Sequence, residues 1–269
     1  MSAAAIQPKV NLKNIALPAS HGGWGFLLEP VLLGLWLAPS LAGLWLSVAA
    51  MGAFLAQQPL KLALTDRRKQ RRYPRTLWAE RIALLYLGIT VMAFGLSLRG
   101  AASMLWLLPA ALAIPPALVQ LYFDAQNRGR ELVPELFGAG ALGAIAAVVA
   151  LAGGRPLWPA MALWGIVLAR TVGSIIYVRA RLRLERSAPF TTGPVWLTHG
   201  AAIVAVAAMA LAAVAPWLSV LAMVVLLARA VVGLSGWRRA VKPKIVGFQE
   251  MGYGFLTVAL TVIGFSLGL

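Results

Sequence analysis

The chain has 269 residues, of which 61% are hydrophobic and only 12% charged, against about a quarter charged in soluble globular domains. A water-soluble fold is excluded. Its net charge of +16 would suggest nucleic acid in a soluble protein, but here the basic residues lie in short segments between apolar runs, where membrane topology and anionic lipid headgroups account for them, and no nucleic acid partner is expected. With no cysteine and two histidines, disulfides and thiolate metal sites are ruled out, and a protein-only transition-metal site is not expected.

Taken in order, residues 1 to about 20 read as a polar leader along the membrane surface, ending in Ser20 as a helix cap, with no removable signal peptide. Residues 21–269 then read as one all-α domain, a polytopic bundle of nine transmembrane helices. The first runs from His21 to about Pro39 and carries Glu29 inside apolar sequence; the second covers about Leu41 to Leu64 and closes in QQPLKLALTD. After the loop DRRKQRRYPRT come spans three, about Leu77 to Leu98, and four, about Met104 to Phe123, with Pro109, Pro115 and Pro116 expected to bend the latter. Span five, about Leu136 to Leu151, is Ala/Gly-rich and suited to close helix contact. Spans six to nine are about Pro156 to Val178, Pro194 to Val214, Trp217 to Gly236 and Ile245 to Leu269. If the N-terminus is cytoplasmic, the leader and the loops after spans two, four, six and eight hold 18 of the 24 Lys and Arg residues, and the opposite loops only Arg99 and Arg155. That asymmetry predicts N-terminus in and C-terminus out.

Charges at membrane depth must face the bundle interior or a cavity. They are Glu29, Lys61, Arg170, Arg229 and Glu250, with neutral companions Gln57, Gln58, Gln249 and His199. Gln120, Asp124, Asn127 and Glu131 share one helical face across the stretch YFDAQNRGRELVPE, and Arg170, Ser174, Tyr177 and Arg181 share another, as do Gln57 and Lys61. Two readings are open. Either Glu29 or Glu250 neutralises Arg170 or Lys61 and pins helices together, or the three stripes converge on a cavity between the second, fourth and sixth spans, open to the cytoplasm.

The segments HGGWGFLLEP, QQPLKLAL, SIIYVRARLRLE and PKIVGFQE, spread along the chain, resemble the YwiC-like family of bacterial membrane proteins. More distantly, the helix count and polarity are similar to the UbiA superfamily of intramembrane prenyltransferases. Asp66 followed by Pro74, Arg75 and Thr76 resembles a reduced form of that superfamily's first acidic motif. Tyr122 with Arg128 and Arg130 resembles its tyrosine and basic pair. The resemblance implies a UbiA-like fold, an isoprenoid diphosphate donor and magnesium. The sequence departs from it where Arg179, Arg181 and Arg183 replace the second acidic motif, and one carboxylate does not hold two magnesium ions, so no resident metal or cofactor is expected.

The expected function is the binding or transfer of an isoprenoid or other lipid with an anionic headgroup. Arg67, Arg71, Arg179 and Arg181 would neutralise the diphosphate, since guanidinium forks match phosphate oxygens. Gln57, Lys61, Tyr122, Asn127, Arg128, Arg170 and Tyr177 would line the cavity. Asp66, Asp124 and Glu131 are the candidate catalytic acids, with Asp124 or Glu131 orienting an acceptor. The alternatives are a small-anion carrier using Arg170 and Lys61, and a non-catalytic protein that binds a lipid or a partner subunit.

Overall fold

The computed structural model describes residues 11–18 and 21–269. The first ten residues of the expected leader and the Ser20 cap lie outside the described residues. The rest of the leader contains a short helix, α1 (Leu12–Ala16), capped by Asn11 accepting from the Lys13 amide at 3.1 Å. Its Ile15 is buried against Ala63 and Ala79, and the Tyr86 hydroxyl donates to the Ala16 carbonyl at 3.3 Å. The leader thus rests on the hairpin of α3 (Leu41–Arg68) and α4 (Pro74–Gly100), the most extensively packed helix pair of the fold.

The remaining elements are α2 (His21–Leu37), a 3-10 turn at Met104–Trp106, α5 (Leu107–Ala125), α6 (Leu132–Gly143), α7 (Ile145–Ala152), α8 (Leu157–Glu185), α9 (Gly193–Leu211), α10 (Trp217–Leu234) and α11 (Pro243–Leu267). Among the described residues no strand is present, as hydrocarbon demands of a single chain that does not close a barrel. Eight helical stretches are long and apolar enough to cross a membrane, α6 and α7 counting as one. α2 is shorter, at 17 residues. Exposed leucines, valines and tryptophans such as Leu84, Val91, Trp158 and Leu197 cover the outside of the bundle, an apolar belt that water would not tolerate and lipid does.

Two helices run well past the expected spans at the basic end, while α9 and α10 stop two or three residues short of theirs. α3 continues past Leu64 to Arg68, and α8 past Val178 to Glu185. Hydropathy stops at the bilayer edge, but the backbone does not: Arg181 and Glu185 form an i,i+4 ion pair at 2.7 Å that carries α8 outward. α5 passes through Pro115 and Pro116 as uninterrupted helix. The expected fifth span is divided at Ala144, which keeps helical angles (φ −59°, ψ −22°), so α6 and α7 form one traverse.

The two ends of the bundle differ in character. At one end lie the four basic loops, stitched together by Arg68 Nη1 on the Ala125 carbonyl (3.2 Å), Arg179 Nη2 on the Arg130 carbonyl (2.6 Å) and Arg181 Nη2 on the Arg239 carbonyl (2.6 Å). At the other end Arg155 donates to the Leu37 carbonyl at 3.2 Å and stacks 4.2 Å over Phe265, and the Ala102 amide bonds the Ala152 carbonyl at 2.9 Å. Here the core is apolar. All seven residues from Ala146 to Ala152 of α7 are buried, packed with Leu33, Leu46, Trp106, Leu163 and Val262. The Ala/Gly-rich stretch does make the close contacts expected of it: Val149 fits against Gly34 and Gly43.

Candidate functional site

A chain of charges runs through the interior and joins five helices. Glu29 of α2 lies 3.1 Å from Arg170, which is beside the midpoint of the 29-residue α8; both side chains are under 5% exposed. The same Arg170 Nη2 donates to the backbone carbonyl of Glu250 in α11 at 2.6 Å. The Glu250 carboxylate pairs with Arg229 of α10. Arg229 Nη2 in turn meets His199 Nε2 of α9 at 3.3 Å. His199 Nδ1 is 2.8 Å from the Val195 carbonyl, which only accepts, so Nδ1 carries the proton and Nε2 accepts from Arg229. The Arg229 guanidinium also lies 4.0 Å over Tyr177 and 5.3 Å over Tyr253. Each link offsets a charge that would be costly alone in hydrocarbon.

Two glycines let these groups seat. A Cβ on Gly254 would fall on the Glu29 carboxylate and crowd Arg170, and one on Gly233 would fall on the Tyr177 hydroxyl. Glu29 and Arg170 therefore reach the α11 backbone only because position 254 has no side chain.

Beside this chain is a cavity of about 110 Å³ between α2, α6, α8 and α11. Its polar lining consists of Glu29, Glu135, Arg170, Ser174 and Glu250. Four buried atoms of those side chains lack a hydrogen-bond partner from the protein: Glu29 Oε1, Arg170 Nε, Ser174 Oγ and Glu250 Oε2. Glu29 Oε1 is near enough to Arg170 for an ion pair but outside hydrogen-bonding geometry. Buried polar atoms are nearly always satisfied, and of the ten that lack a protein partner among the described residues, four belong to side chains lining this one cavity.

The residues expected to share one pocket between the second, fourth and sixth spans do not do so; they fall into separate pairs, and the cavity lies between other helices. Lys61 pairs with Asp124 at 3.3 Å, and Gln120 donates to the other Asp124 oxygen at 3.0 Å. Asp66, 1% exposed, receives Arg75 at 2.9 Å and the Thr76 hydroxyl at 2.8 Å. Arg67 pairs with Glu80 at 2.8 Å, Arg179 with Glu135 at 2.8 Å. Arg181 serves Glu185 and the carbonyls of Gly233 and Arg239. Arg128 and Glu131 form an exposed pair at 2.6 Å; the Arg128 hydrogen bond holds the Glu131 carboxyl below its usual range. Gln57, Arg71, Tyr122 and Asn127 are exposed, Asn127 at a positive φ of 60°. Of the three stripes only Arg170 and Ser174 line the cavity, with Tyr177 one step away under Arg229.

The pairing is complete on the acidic side. Each of the eight Asp and Glu residues in the chain has a Lys or Arg within ion-pair distance. Among the described residues no cluster of three His, Asp or Glu could hold a metal ion. Asp66, the carboxylate that the magnesium expectation rests on, has both oxygens engaged by Arg75 and Thr76. The residues present do not fit that metal.

Asp66 acts instead as the clasp of the α3–α4 hairpin. Replacing it with Ala frees Arg75 and the Thr76 hydroxyl together, and the expected cost is roughly 1.5–3 kcal/mol, the range of a hydrogen bond to a charged group. The thermal midpoint of the detergent-purified protein measures it. A midpoint equal to wild type would mean that the clasp carries no stability.

Sequence reasoning singled out Glu29, Glu250, Arg229 and His199 as charges and polar groups at membrane depth but assigned them no site; Ser174 stood on the α8 stripe. The signal that could have joined them is matched sign: two acids, Glu29 and Glu250, and two arginines, Arg229 and the stripe residue Arg170, all inside apolar sequence. Glu135 gave no such signal, since it stands at the end of the polar stretch YFDAQNRGRELVPE rather than inside an apolar run.

No curated protein and no solved structure matches the chain. Residues 17–150, from before α2 to within α7, match the model of the YwiC-like protein family. That stretch carries Glu29, the apolar face of α2 and the α3–α4 hairpin, and on it the chain belongs to the YwiC-like family.

Proposed function

We propose that this is a nine-span protein of a bacterial inner membrane, its basic end in the cytoplasm and its C-terminus outside, and that it binds and carries a small charged solute through the chamber between α2, α6, α8 and α11. The count of nine includes α2, which joins the basic end to the loop where Leu37 meets Arg155. One observation carries the functional reading: four unpartnered polar atoms belong to side chains that line a single cavity beside the middle of α8. The other unpartnered buried atoms among the described residues are spread over several places in the fold, whereas these four share one cavity lining.

Uptake of labelled small anions, cations and zwitterions into proteoliposomes tests the proposal. At least one class is expected to enter faster than into empty liposomes, and Glu29→Gln at equal reconstitution is expected to lower that uptake about tenfold or more, the effect of losing a charge-assisted contact. Equal flux with and without protein for all three classes sinks it.

A second reading, a lipid with an anionic headgroup such as an isoprenoid diphosphate, draws on a different feature. An apolar groove of about 240 Å³ runs between α5, α6 and α8, lined by Pro116, Leu136, Phe137, Gly140, Trp164 and Leu168. Arg128 and Arg130 lie in the loop that leads into α6, and a tail in the groove would bring a headgroup to them. Transfer of the prenyl group in this reading would have to proceed without magnesium, with Asp124 or Glu131 leaving its present partner. Labelled polyprenyl diphosphate retained by the purified protein and displaced by Arg128→Ala would favour it over the solute chamber.

A further inference from the structure

The chamber wall holds three carboxylates, Glu29, Glu135 and Glu250, and one guanidinium, Arg170. The guanidiniums that offset the other two acids are not part of that wall. Arg179 holds Glu135 at 2.8 Å and Arg229 holds Glu250, and neither lines the cavity. The space itself therefore faces more negative than positive charge, although the basic end of the molecule is rich in arginine.

The four unpartnered atoms sharpen this. Glu29 Oε1 and Glu250 Oε2 are acceptors; Arg170 Nε is a donor, and the Ser174 hydroxyl donates as readily as it accepts. A plain anion would satisfy the two donors while setting its charge against three carboxylates. A plain cation would satisfy the two acceptors and leave Arg170 Nε buried and unbonded, a cost comparable to what it gained. A molecule with an ammonium at one end and an anionic oxygen at the other answers all four. The cavity, of about 110 Å³, has room for a compact molecule of this kind.

We infer that the chamber takes a small zwitterion, its ammonium between Glu29 and Glu250 and its carboxylate-like group on Arg170 Nε and the Ser174 hydroxyl. This rests on the solute-binding reading above and specifies its ligand class. It reverses the sign expected from the arginine-rich loops, which pointed to an anion.

Titration calorimetry on the full chain in detergent, with glycine, methylammonium and acetate as probes, tests it. Glycine is expected to bind at least tenfold more tightly than either single-charge probe. Glu29→Gln should weaken glycine binding about ten- to a hundredfold, the equivalent of one hydrogen bond to a charged group. Ser174→Ala should weaken it severalfold with an unchanged melting point in the absence of ligand, since Ser174 takes part in none of the ion pairs; this variant covers the case in which Glu29→Gln does not fold. Methylammonium binding as tightly as glycine, or acetate binding more tightly, overturns the zwitterion and leaves the chamber a solute site. Binding of none of the three, with heat signals equal to buffer, overturns the inference; if proteoliposome uptake is absent as well, the solute-binding reading falls with it.

Discussion

Arg170→Ala is expected to be the most damaging single substitution in the protein, with a loss of about 3–5 kcal/mol, the range found when one member of a buried ion pair is removed. The guanidinium neutralises Glu29 and bonds the Glu250 carbonyl, so its removal strands a carboxylate that is 3% exposed and frees α2 and α11 from α8 at one stroke. Folded domains have only about 5–15 kcal/mol in total, so little monodisperse protein should survive heating in detergent. The paired replacement Glu29→Leu with Arg170→Met should recover most of the loss, because apolar groups of similar volume often replace a buried ion pair without penalty, while still binding no solute. A single variant within about 1 kcal/mol of wild type would show that the Glu29 charge is not buried as described.

Gly254→Ala is expected to cost nearly as much for the addition of one methyl group. The new carbon would occupy the position of the Glu29 carboxylate oxygen and press on Arg170 Nη2. Overpacking a filled core costs about 1–3 kcal/mol, and here the atoms displaced are a charged pair with nowhere else to be neutralised. Gly252→Ala on the same helix is the control. Nothing lies within 4 Å of a Cβ there, so alanine should stabilise α11 by about 0.5–1 kcal/mol through its higher helix propensity. Opposite shifts in melting temperature for the two variants are the expected result; shifts of the same sign would mean that the close approach of α2 to α11 is not tight.

The bundle was legible because hydropathy and charge act locally. Leu41 begins a helix where the run of apolar residues begins, and the basic loops share one end because lysine and arginine do not cross a bilayer readily. The α8 stripe of Arg170, Ser174 and Tyr177 was legible as a face for the same reason, as helical spacing needs no knowledge of neighbours. The partner of each charge was not. Lys61 could reach Glu29, Glu250 or Asp124 on sequence alone, and only the lateral order of helices decides that it meets Asp124 while Arg170 meets Glu29. The arginine-rich loops pose a related problem. An arginine in a loop looks free until packing shows which carboxylate has claimed it, as Arg179 is claimed by Glu135 and Arg67 by Glu80.

The seam around α7 has a mechanical consequence. Toward the basic end, helices are tied by oriented charges, and sliding one past another would break ion pairs in low dielectric. Around Ala146–Ala152 the contacts are between small apolar side chains, held by many weak dispersion terms. Register is therefore fixed by charge on the inner leaflet side of the proposed orientation and by shape on the outer, where the seat of Val149 against Gly34 and Gly43 leaves room for no larger residue at either glycine.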